Sequence, residues 1–203
     1  MARQSVQYGE MKHAARIEAE KKVATAATPK RDGFAHDIDR DNGKEEWLTP
    51  PEIVRACGHF DLDPCAPIKR PWDTAKKHYT IEDNGLTKPW EGYVWCNPPY
   101  GPKTGEWLAR CAEHNNCMAL VFARTETAAF QKHVWPKARA LYFLKGRVSF
   151  YHVDGRQGGT AGAPSVLIAY GQHAQNILRG LSELAGHYIA NAPNIAGGWG
   201  DDK

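Results

Sequence analysis

No stretch of this chain is apolar for long enough to cross a bilayer. Its longest hydrophobic runs, around Met118–Ala123 and Val166–Tyr170, are strand-sized, far below the roughly 20 residues of a spanning helix. The opening residues, MARQSVQYGEMKHAARIEAEKK, contain no apolar segment of the kind a secretory leader carries. The expectation is a cytoplasmic protein with no membrane partner. Cysteine is sparse and unpatterned. Cys57, Cys65, Cys96, Cys111 and Cys117 form an odd set without a Cys-x-x-Cys pair, which predicts reduced thiols rather than a disulfide framework. His114 lies between Cys111 and Cys117, but no second ligand pair completes a zinc set, so no metal is expected. Strong charge of one sign is also missing: 26 Lys and Arg against 23 Asp and Glu leave +3. That balance is compatible with nucleic acid and does not establish it.

What is present is a chain of 203 residues, 42% hydrophobic, enough for one globular domain with tails. Residues 1–43 carry almost no large apolar side chains. Seven basic and three acidic residues precede Asp32, and one Arg against four Asp follows up to Gly43. A solvated helix near 7–24 followed by a linker fits this pattern, with a basic arm on DNA phosphates as the alternative. The domain is expected over 44–190 and a loose Gly- and Asp-rich tail over 191–203.

Within the domain, Thr49-Pro50-Pro51-Glu52 reads as a helix start, with Thr49 as cap, Pro50 first in the helix and Glu52 reaching back. Strands are expected at 59–63, 93–96, 118–123, 138–144, 147–151 and 165–170, and helices at 104–114, 125–135 and 174–188. Such alternation predicts an α/β fold with a mostly parallel sheet. The strands at 147–151 and 165–170, joined by the Gly-rich loop 154–163, are expected to pair antiparallel.

The segment with chemistry in it is Asn97-Pro98-Pro99-Tyr100, directly after a strand. Strand carboxyl ends are where α/β sheets form ligand crevices. An amine on a planar ring is a poor nucleophile because its lone pair is delocalised into the ring. The Asn97 side-chain oxygen and the Pro98 carbonyl could accept its two hydrogens and stabilise the charge that develops on nitrogen. Pro98 and Pro99 keep those acceptors rigid. Tyr100 could stack on the ring itself.

The ordered set Glu46-Trp47-Leu48-Thr49-Pro50-Pro51, Asp61-Leu62-Asp63-Pro64-Cys65-Ala66, Asp83-Asn84-Gly85-Leu86, Pro89-Trp90, Val94 to Gly101, Leu144 to Phe150 and Pro164-Ser165 resembles the phage-type DNA N-6-adenine methyltransferase (Dam) family. The resemblance covers roughly 44–170. It implies a compact, Rossmann-like methyltransferase fold, a mixed sheet with helices on both faces. It also implies S-adenosyl-L-methionine as cofactor, double-stranded DNA as partner, and methylation of the adenine N-6 amine, with phage DNA protected from restriction as the biological setting. Thr49, Asp63, Pro64 and Asp83 are the implied cofactor residues, with Glu82 competing with Asp83. Lys145, Arg147 and Phe150 are the implied DNA contacts, Phe150 or Tyr151 facing Tyr100 across the base. Lys132, His133, Lys137, Arg139, Arg156 and Arg124 supply further positive charge.

The chain departs from many methyltransferases in lacking a Gly-x-Gly loop after the first strand, and Asp63 to Asn97 is too short for two strand–helix units. This shortened cofactor region motivates a rival: a DNA-binding protein of the same fold without turnover. Amino-methyltransferases acting on RNA or protein glutamine share Asn-Pro-Pro-Tyr and form a second alternative. Oligomeric state is not readable from the sequence.

Overall fold

Two six-residue strands, Cys117–Phe122 (β4) and Ser165–Tyr170 (β8), form the centre of the domain because nearly every side chain in them is apolar. A strand apolar on both faces is stable only when both faces are covered. The computed structural model describes residues 46–191. The 1–43 extension with its expected helix, and all of the 191–203 tail except Asn191, lie outside the described residues.

Seven strands form one mixed sheet in the order β2-β1-β3-β4-β8-β5-β9. Here β1 is Leu62–Asp63, β2 Lys77–His78, β3 Val94–Cys96, β5 Ala140–Leu144 and β9 Gly186–Ala190. β2, β1, β3 and β4 are mutually parallel. β8 runs antiparallel to both β4 and β5, and β9 antiparallel to β5. Alternate residues of each strand therefore serve opposite cores. Val94, Cys96, Ala119 and Val121 meet Trp107, Leu108, Cys111 and Phe130, from helices α2 (Thr104–His114) and α3 (Ala128–His133). Trp95, Met118, Leu120 and Leu167 meet Ile53, Val54, Ala174 and Leu178, from α1 (Pro51–Ala56) and α4 (Gln172–Gly180). Helices thus cover both faces.

Three expectations are corrected. The strand at 147–151, seen as β6 (Ser149–Tyr151), does not pair with β8. It pairs with β7 (Gln157–Thr160), inside the stretch expected to be a loop, as a separate two-stranded sheet. The fully apolar β8 goes instead to the sheet centre, where burial stabilises it most. One of the β7 glycines is a close-approach position: a Cβ on Gly158 would stand 2.4 Å from the Trp47 ring. The helix expected over 174–188 ends at Gly180, and its second half becomes edge strand β9. A Cβ on Gly186 would stand 2.3 Å from the Tyr142 ring, so that contact needs glycine too. Thr49 does not cap α1. Pro50 takes the cap position, and among the described residues no side chain caps the helix and the buried Thr49 hydroxyl has no hydrogen-bond partner.

Between β1 and β3 the chain makes β2 and turns but no helix, which is how so short a segment reaches the third parallel strand. The helix expected at 125–135 is confined to α3, capped by Thr127, whose hydroxyl accepts from the Phe130 amide at 3.3 Å. At the far end Asn191 is tied down, donating to the carbonyls of Trp135 and Ala138.

Candidate active site

β3 ends at Cys96, and the next four residues are Asn97-Pro98-Pro99-Tyr100. The loop is held at both ends. The Cys65 thiol donates to the Asn97 carbonyl at 3.3 Å, and the Thr104 hydroxyl donates to the Pro99 carbonyl at 3.2 Å. The Pro98 carbonyl between them has no hydrogen-bond partner among the described residues. Two prolines fix φ at 98 and 99, so few torsions remain free. The Tyr100 hydroxyl donates a long bond, 3.5 Å, to Asn97 Oδ1. Burial pushes the Tyr100 phenol up, keeping it protonated. A bond of that length is weak, and Oδ1 stays available to another donor.

A cavity of about 490 Å³ opens at this point, lined by Asn97 to Tyr100, Pro64 to Pro67, Thr80, Ile81, Asn84 to Leu86, Glu46, Trp47, Lys103 and Trp107. That is within the roughly 300–1,000 Å³ of small-molecule sites. It lies at the carboxyl ends of the adjacent parallel strands β1 and β3, where such sheets bind ligands. Its floor depends on one glycine: a Cβ on Gly85 would fall 1.9 Å from the Pro64 carbonyl oxygen. A second cavity of about 270 Å³ shares Tyr100 with the first and is lined by Pro102, Leu108, Phe122, Arg124, Thr127 and Phe130 among others. The Tyr100 ring stacks on Phe122 with centroids 4.1 Å apart and meets Phe150 edge-on at 6.2 Å.

The expected cofactor residues divide. Pro64 lines the larger cavity, whereas Thr49, Asp63 and Asp83 do not. Asp63 is 4% exposed, and both its oxygens are engaged, by the Cys65 amide and the Thr74 hydroxyl. Burial raises its pKa to about 6. The Asp83 carboxylate accepts from the Thr80 amide at 2.9 Å and from the Thr80 hydroxyl at 3.2 Å. The amide bond holds its pKa below the usual carboxylate value. It acts as the cap of a turn whose other residues, Thr80, Ile81 and Asn84, face the cavity. Glu82 is exposed and outside the lining.

Among the basic residues, strand direction sorts the charges. β3, β4 and β5 share one direction, since β8 is antiparallel to both β4 and β5. Their carboxyl ends bring Asn97, Arg124 and the exposed turn Lys145-Gly146-Arg147 to the same end of the sheet. Lys137 and Arg139 precede β5 and lie at the opposite end, as does His133, whose carbonyl accepts from Tyr170 at the end of β8. Phe150 is 2% exposed and supports Tyr100 from within the core.

Sequence reasoning assigned no role to Trp47, Cys65, Thr104 or Phe122. Thr104 had a local signal, a hydroxyl opening a helix just after the prolines. The bond from Cys65 crosses between two loops 32 residues apart and has no signature in spacing.

Searches of curated proteins and of solved structures returned no match. The family model for DNA N-6-adenine-methyltransferase (Dam) matches residues 37–181, which takes in every element from α1 to α4 and both cavities. The chain belongs to the DNA N-6-adenine-methyltransferase (Dam) family.

Proposed function

We propose that the protein transfers a methyl group from S-adenosyl-L-methionine to the N-6 amine of adenine in double-stranded DNA. One observation carries this reading: of the three carbonyls at 97–99, the outer two are held and the middle one has no hydrogen-bond partner among the described residues, in a loop whose Asn97 and Pro98 both line the larger cavity. Two fixed acceptors one residue apart suit an amine with two hydrogens. Family membership supplies the target base.

The larger cavity fits the cofactor. Ala66, Leu86 and Trp107 offer apolar walls for a purine, and Glu46, Thr80 and Asn84 offer polar groups for ribose and amino-acid atoms. The Gly85 approach to Pro64 keeps that floor open. Bound there, S-adenosyl-L-methionine supplies an electrophilic methyl group. The protein's part is orientation and charge. Asn97 Oδ1 and the Pro98 carbonyl accept the amine hydrogens, drawing the nitrogen lone pair out of conjugation and stabilising its developing positive charge. No general base is required, because the amine becomes acidic as the charge develops and releases its proton to water.

The smaller cavity, which shares Tyr100 with the larger one, suits the ring of a base taken out of the duplex, with its amine directed toward Asn97 and Pro98 on the larger cavity. Phe122 and Phe150 keep the Tyr100 ring from turning. Lys145 and Arg147 share the catalytic end of the sheet and can reach phosphates, so binding should weaken with salt. Lys137 and Arg139 sit at the wrong end to do so in the same complex.

The test is incubation of the full chain with radiolabelled S-adenosyl-L-methionine and unmethylated duplex DNA, followed by nucleoside analysis. Label in N-6-methyladenine is expected. Label in cytosine, or salt-sensitive DNA binding with neither label nor cofactor binding, would overturn the assignment.

A further inference from the structure

We propose that Cys65 is a positioning residue for methyl transfer, its thiol tying the loop after β1 to the acceptor loop after β3 and so fixing the Pro98 carbonyl. The inference rests on the proposed reaction and adds a residue to it.

The geometry is a relay of hydrogen bonds that starts in the core. The buried Asp63 carboxylate accepts from the Thr74 hydroxyl and from the Cys65 amide, the latter at 3.1 Å. This holds the Cys65 backbone. The Cys65 side chain then donates to the Asn97 carbonyl at 3.3 Å, with the Cys96 sulfur 3.9 Å away on another side. Burial pushes the Cys65 thiol up to about 11, so it stays protonated near neutral pH and remains a donor rather than a nucleophile.

Loss of this bond matters because of the prolines. With φ locked at 98 and 99, the direction of the Pro98 carbonyl is set by the peptide planes on either side of it. Cys65 holds the plane before it, and Thr104 holds the plane after it. Release of either lets the whole Asn97–Pro99 unit swing, since the proline rings transmit rotation instead of absorbing it. Cys65 also lines the larger cavity. One residue therefore touches the cofactor space and sets the acceptor loop, the two parts that must be in register for transfer.

The experiment compares wild type, Cys65→Ala, Cys65→Ser, Thr104→Val and Thr104→Ser as full chains. Single-turnover methylation is measured at saturating S-adenosyl-L-methionine, and cofactor Kd and the thermal transition are measured alongside. Cys65→Ala should slow single turnover at saturating cofactor about tenfold, a loss larger than any change in Kd. Cys65→Ser, which keeps a donor, should recover most of the rate. Thr104→Val should slow the same step and Thr104→Ser restore it, which keeps the test decisive if Cys65→Ala fails to fold. A wild-type rate in Cys65→Ala, equal losses in the Ala and Ser variants, or a Kd effect at unchanged single-turnover rate would each overturn the proposal. An inactive wild type would overturn the underlying reaction, and that outcome is separate because it is read before any variant.

Discussion

The loops that follow β1 and β3 leave neighbouring parallel strands on the same end of the sheet, yet they have opposite fates. After β3, Asn97 is partly exposed, two prolines stiffen the backbone, and one carbonyl is left open. At the end of β1, the carboxylate of Asp63 looks the more reactive group by residue type, but it is buried and both oxygens are taken. Function follows availability rather than chemical class. A saturated carboxylate organises the chain around it, and an unpartnered amide or carbonyl is free to meet a substrate. Cys65 joins the two, anchored by Asp63 and holding Asn97.

The comparison breaks most visibly at Asn97. Asn97→Ala removes an acceptor used only as charge develops, so single-turnover methylation should fall by about 10²–10³-fold, with cofactor Kd nearly unchanged by calorimetry. Weaker cofactor binding at an intact rate would move Asn97 out of the chemistry. Next is Gly85→Ala, which puts a methyl group into the Pro64 carbonyl. Overpacking of two backbones should cost about 1–3 kcal/mol in urea unfolding and raise cofactor Kd. A normal Kd would show that the Pro64–Gly85 contact lies away from the ligand.

Asp63 sharpens the other side. Its carboxyl moves from 3.8 to about 6 on folding, so the folded state binds this proton more tightly than the unfolded state. The resulting stabilisation is present below about pH 4 and is lost as pH rises through 6, a span of up to about 3 kcal/mol. Asp63→Asn should flatten that slope, as followed by urea midpoints from pH 4 to 7; an unchanged slope would assign the titration elsewhere. The smallest effect belongs to Tyr100→Phe. It removes one long hydrogen bond and keeps the ring, so the methylation rate should stay within about threefold, whereas a large loss would give the hydroxyl a direct part.

Much of the fold was legible because apolar periodicity is local. The strands at 93–96, 118–123, 138–144 and 165–170 and the helix at 104–114 match β3, β4, β5, β8 and α2 to within a residue or two at most ends. What failed was glycine. At Gly158 and Gly186 the missing side chain is needed because an aromatic ring from elsewhere in the chain fills its space, and no local pattern carries that information. Gly158 was placed in a loop and Gly186 in a helix, where each marks a close contact in a strand. The placement of β8 between β4 and β5 was likewise hidden, since pairing partners are set by the whole core.

The position of Asn97-Pro98-Pro99-Tyr100 at a strand end was legible because the motif is contiguous, and it lines one cavity together with Pro64. Asp63 and Asp83 were picked for their charge, but burial and capping decide what a carboxylate is free to do, and both are tertiary facts. Phe150 or Tyr151 was expected across a base from Tyr100; Phe150 lies in the core behind Tyr100, because β6 turns that residue inward.

The most direct measurement is a crystal structure of the full chain soaked with S-adenosylhomocysteine, the product that would remain after transfer. The account predicts density in the larger cavity, between Pro64–Ala66 and Asn97–Tyr100, with the sulfur facing the Pro98 carbonyl and Asn97 Oδ1. Density elsewhere, or a ligand whose sulfur lies away from that loop, would contradict it.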